Sequence, residues 1–144
     1  MQHKKFNQGI WSNLENFILD KIGENSNEKK LSVFTGPING EGSMKYCGAN
    51  KPLTCNSIIP VGFWKTIFYI DSNEKLRSLS FVIKQDKYLT RSLISDFNLL
   101  ATYQVSLEDI ISLTQLEFDY NLLKTDSFNY SRSYEINKKD DLNI

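Results

Sequence analysis

The chain has no excess of charge of either sign: 17 lysines and arginines stand against 17 aspartates and glutamates. A nucleic-acid binder usually carries a basic bias, so composition does not point to that class. What basic character exists is local, at Lys4-Lys5, Lys29-Lys30, Lys84/Lys87/Arg91 and Lys138-Lys139. Patches of this size read first as solvated surface. Cysteine is scarce. Cys47 and Cys55 share one Gly/Asn/Ser-rich stretch with no His or Asp cluster beside them, which excludes a zinc site of ordinary ligand spacing. They would close a small loop disulfide in an exported chain and stay as thiols otherwise. Histidine is scarcer still, with His3 alone. No apolar run is long enough to span a bilayer. None of signal-peptide length follows Met1–Phe6. The expectation is a soluble chain without an export address.

What is present suffices for one domain. The length is 144 residues and 40% of them are hydrophobic, enough for a modest core. Residues 8 to 22 predict a helix. Ile10, Leu14, Phe17, Ile18 and Ile22 recur at three- and four-residue steps, with Trp11 on the same stripe. Asn7 stands where a cap would, and Gly23 where the helix would stop. Leu31–Thr35 alternates as a strand, which Gly36-Pro37 is expected to end. A long Gly-containing loop follows. Lys65–Ile70 and Leu79–Ile83 predict an antiparallel pair around a turn at Asp71–Glu74. Ser106 caps a second helix with acidic residues in its first turn, and Leu107, Ile110, Ile111 and Thr114 form its inner face. Strands and helices interleave without a βαβ rhythm, so the fold class is α+β. The domain is expected over residues 1–123. Residues 124–144 are expected to form a polar, loosely ordered tail.

Five blocks then occur in a fixed order. The first is Asn7-Gln8-Gly9-Ile10-Trp11-Ser12-Asn13-Leu14-Glu15. Val33-Phe34-Thr35-Gly36-Pro37 and Ile59-Pro60-Val61-Gly62-Phe63-Trp64-Lys65 come next. Phe81-Val82-Ile83 and Val105–Ile110, running into Leu113-Thr114, complete the set. Together, over roughly residues 6 to 123, they resemble the DNA/RNA non-specific endonucleases of the ββα-metal type.

The resemblance implies a partial ββα-metal fold and a site for Mg2+ or another divalent cation. Asn7 matches the asparagine that ligates the metal, and Glu15 the catalytic glutamate that orients metal-bound water. Magnesium prefers oxygen ligands and keeps most of its waters, so an amide oxygen with an outer-shell carboxylate suits it. Taken alone, Asn7 would read as a helix cap and Glu15 as a solvated helix residue. Trp11 and Trp64 would read as packing aromatics.

The chain departs from the family twice. The family's general base lies in an Asp-Arg-Gly-His block, N-terminal to the asparagine helix, and no such block occurs. His3 lacks the Arg-Gly context and stands too close to Asn7; it reads as solvated. Many members also carry an arginine four residues after the glutamate, where this chain has Leu19. The expectation is a truncated, C-terminal part of a magnesium-dependent endonuclease acting on DNA and RNA without sequence specificity, weak or inactive alone. A separately encoded N-terminal segment would be its partner. The alternatives are a non-catalytic nucleic-acid or protein-binding remnant, or one half of a split nuclease.

Overall fold

A computed structural model describes residues 12–25, 30–39, 44–45, 58–60, 62–84, 102–128, 134–135 and 141–142. Its centre is a hairpin of two nine-residue strands, β4 (Gly62–Ile70) and β5 (Leu76–Lys84). They pair antiparallel from Gly62↔Lys84 to Ile70↔Leu76. An isolated hairpin is at best marginally stable in water, so it needs neighbours. β1 (Leu31–Ile38) pairs with the outer side of β4, and β6 (Thr102–Val105) with β5. β7 (Tyr134–Glu135) adds to β6, giving the order β1-β4-β5-β6-β7. A separate two-stranded pair joins β2 (Met44–Lys45) to β3 (Ile58–Ile59).

Strand alternation sends successive side chains to opposite faces, and both faces of the hairpin are covered. On one face, Ile67, Tyr69, Leu79, Phe81 and Ile83 are buried with Leu14, Ile18 and Ile22 of helix α1 (Ser12–Asn25). The other face carries Trp64 and Val82, buried with Leu107 and Ile110 of helix α2 (Leu107–Thr114). Phe118, Leu122 and Leu123 pack beside them, the last two from the single turn α3 (Tyr120–Leu123). Each fully buried side chain of the size of Leu79 or Phe81 is worth about 1.5–3 kcal/mol. The expected α+β class holds.

Two stop signals read from the sequence are overridden. α1 runs through Gly23 to Asn25. β1 runs through Gly36-Pro37 to Ile38. Among the described residues β1 pairs only with β4, and a strand with one free edge accommodates proline. Gly36 lies opposite Trp64, and a Cβ there would stand 2.8 Å from the indole Nε1. That glycine is therefore a packing requirement.

α2 begins as expected. The Ser106 hydroxyl oxygen accepts from Asp109 N–H at 3.0 Å, and Asp109 Oδ2 accepts from Ser106 N–H at 3.1 Å. Asp126 adds an acceptor the sequence did not suggest, taking the Leu107 N–H at 2.7 Å and the Phe128 N–H at 3.0 Å. Burial pushes the Asp126 carboxyl above the ordinary range, against the pull of these two donors. Past Leu123 the described residues touch the sheet. Ser78 and Thr125–Ser127 exchange backbone bonds of 2.7 and 3.0 Å, β7 pairs with β6, and Leu142 is buried against α1's cluster.

The turn between β4 and β5 is held by one carboxylate. Asp71 Oδ1 accepts from the N–H groups of Asn73 and Lys75, and Oδ2 from Arg77 Nε at 3.1 Å. Those bonds, the Lys75 N–H first, hold the Asp71 carboxyl below its usual 3.8. The stabilisation is thus complete above that value and lost as pH falls through the depressed one. The stability gap between wild type and Asp71→Asn should shrink as urea unfolding is repeated at pH values descending below 3.8; a gap constant with pH would refute the assignment. Gly36→Ala should cost about 1–3 kcal/mol by overpacking against Trp64. At Gly23 an added methyl would meet nothing within 4 Å, so Gly23→Ala should gain about 0.5–1 kcal/mol. Denaturant midpoints test both signs.

Candidate functional site

α1 meets the sheet with a stripe of Leu14, Ile18 and Ile22, each four residues from the last. Glu15 follows Leu14 on the flank of that stripe. Its side chain is 49% exposed. Below it lies Lys65 of β4, fifty residues away in sequence, whose Nζ donates to Glu15 Oε1. The lysine side chain is only 5% exposed. Its methylenes are covered while the ammonium reaches a carboxylate at the rim, an arrangement that suits an amphipathic side chain.

The geometry gathers three of the ordered blocks at one place. Thr35 of β1 pairs with Lys65, and Gly36 with Trp64. The Thr35 hydroxyl donates to the Trp64 carbonyl at 2.7 Å. Trp64 sits on the opposite face of the sheet, edge-on to Phe118 with ring centroids 6.4 Å apart. Gly62 opens the strand where a Cβ would come within 2.5 Å of the Ile83 carbonyl oxygen. Gly36, Gly62 and Trp64 thus serve close packing. Among the described residues of these blocks, Glu15 and Lys65 form an ion pair.

Of the residues singled out from sequence, Glu15 is described and Asn7 lies outside the described residues, as do His3, Trp11, Cys47 and Cys55. Leu19, one turn beyond Glu15, is 46% exposed. Lys65 escapes sequence reasoning as a functional candidate. Its signal is nonetheless there: it alternates with Phe63 and Ile67 on the helix-facing side of an apolar strand, an unusual place for a lysine.

A divalent cation can be tested against these donors. Among the described residues no three His, Cys, Asp or Glu side chains cluster as a metal cage. Glu15, half exposed, can still accept from a water on its solvent side. A half-exposed carboxylate of this kind is compatible with a hard cation that keeps its hydration shell.

A family model described as DNA/RNA non-specific endonuclease matches residues 1–125. An uncharacterized protein, y4fB, from Sinorhizobium fredii (strain NBRC 101917 / NGR234) is 28% identical over 139 residues, covering 88% of this chain and 19% of that protein. The chain therefore spans less than a quarter of that relative's length. No solved structure matches.

A double-mutant cycle of Glu15→Gln and Lys65→Met should return a coupling energy of about 1 kcal/mol. That exceeds the weakest exposed pairs but falls below the loss of a fully buried one, because Glu15 is half in water. Coupling indistinguishable from zero in urea unfolding would mean the pair is not held in solution.

Proposed function

The chain belongs to the DNA/RNA non-specific endonuclease family, and from that membership we propose that it carries the metal-binding side of a magnesium-dependent phosphodiesterase acting on DNA and RNA without sequence preference. We propose further that these 144 residues by themselves cleave weakly or not at all. The observation that carries the reading is Glu15, half exposed on α1 and held at the sheet by Lys65, within residues that match the family model.

The roles follow from the donor types. Asn7 would ligate the ion through its amide oxygen, and Glu15 would accept from a water of its shell. Magnesium, when bound, supplies charge that stabilises the developing negative charge on the scissile phosphate and the leaving oxygen. What the chain's own residues would then do is position: Glu15 would hold one water of the ion's shell.

The general base is the part not found in these residues. No Asp-Arg-Gly-His block occurs, and His3 is the single histidine. A positioned base contributes about 10²–10⁴-fold in rate, so activity of these residues alone should be low. A separately supplied segment bearing such a block would complete the site. A second reading, a non-catalytic binding module on the same scaffold, is favoured by the zero net charge and by Leu19 in place of an arginine.

In a plasmid-nicking assay with magnesium, the chain should give little or no cleavage. Robust nicking abolished by Asn7→Ala would overturn the low-activity reading and support the metal site. Tight binding of nucleic acid with no cleavage, unchanged in Asn7→Ala, would favour the binding module.

A further inference from the structure

We infer that Lys65 is the positioning residue for Glu15, doing from the sheet what the arginine expected at position 19 would do from the helix. The inference rests on the reading of Glu15 as part of a metal site, and it names how that carboxylate is aimed. Position 19 is one helical turn from Glu15, where an arginine would pair with it along the helix. Leu19 offers neither a hydrogen bond nor a charge. The cation comes instead from β4, where Lys65 donates to Glu15 Oε1.

The two arrangements differ in rigidity. An arginine on the helix surface would be a long, solvated side chain on the same element as its partner. Lys65 has its stem enclosed, with the side chain 5% exposed, and grows from a strand paired on both sides. A carboxylate fixed through one oxygen by a buried donor retains its exposed side for a second acceptor role. Outer-shell partners of metal ligands typically matter about 10–100-fold in metal affinity; Lys65 acts on such a partner, so the lower end of that range applies.

The sign of the effect separates positioning from plain charge. Lys65 is a cation close to a proposed cation site, so removing it should tighten metal binding if only Coulomb repulsion matters. If Lys65 aims Glu15, removing it should weaken binding. Mn2+ titrations followed by electron paramagnetic resonance on the full 144-residue chain give the answer. The expected result is about tenfold weaker Mn2+ binding in Lys65→Met. Near-normal binding is expected in Lys65→Arg, as is recovery when Leu19→Arg is added to Lys65→Met. Unchanged or tighter binding in Lys65→Met, with Asn7→Ala still abolishing it, would overturn this inference and leave the metal site standing. Failure of the wild-type chain to bind Mn2+ would overturn both. Should Lys65→Met not fold, the wild type still decides. Selective paramagnetic broadening of Glu15 and Lys65 side-chain resonances by Mn2+ supports the inference, and broadening confined to other residues overturns it.

Discussion

Covering two faces of one hairpin is the constraint that the other described elements answer to. β4 and β5 carry apolar side chains in both directions, Ile67 and Phe81 one way, Trp64 and Val82 the other. Neither face can be left to water. α1 covers one and α2 with α3 the other, while β1 and β6 satisfy the backbone on the outer sides. Several of the polar groups caught between are paired, although the buried Thr102 hydroxyl has no partner among the described residues. Thr66 Oγ1 lies 3.0 Å from Ser80 Oγ, and Thr125 Oγ1 lies 2.9 Å from Ser78 Oγ while donating to the Leu122 carbonyl. Pairing of this kind removes most of the cost of burying a hydroxyl.

The candidate site is a product of that covering. Glu15 stands where it does because Leu14, its neighbour, is fully buried against the sheet. The hydrophobic stripe fixes the rotation of α1, and the rotation puts Glu15 at the rim. Lys65 lies below because strand parity places it on the same face as Phe63 and Ile67. A carboxylate and an ammonium from distant segments thus meet through packing that involves neither charge.

Much of this is readable in the sequence, and the rest has physical reasons for being hidden. The β4–β5 pair is legible in the apolar runs Lys65–Ile70 and Leu79–Ile83, and α2 in Ser106 and Asp109. β1 is longer than its local pattern predicts, because glycine and proline act as stops only when local preference is unopposed; opposite Trp64 the glycine is what pairing requires. Thr102–Val105 is a strand through its partner β5 and has little apolar alternation of its own. Leu142 of the polar C-terminal segment reaches the core by a contact too long-range for any local pattern to announce. At the site, Glu15 is found through the block it belongs to. Lys65 is hidden because its importance lies in a partner fifty residues away.

The burial of Leu142 beside Leu14, Ile18 and Ile22 sets an order of events during synthesis. In synthesis from the N-terminus α1 is made long before Leu142, one part of its cover. The hairpin comes midway. The helix that bears Glu15 therefore cannot finish its packing until residue 142 has left the ribosome, and contacts of such separation close slowly because the entropy of the intervening loop must be overcome. Any change near residue 142, although far in sequence from α1, acts on the seat of the helix that presents Glu15.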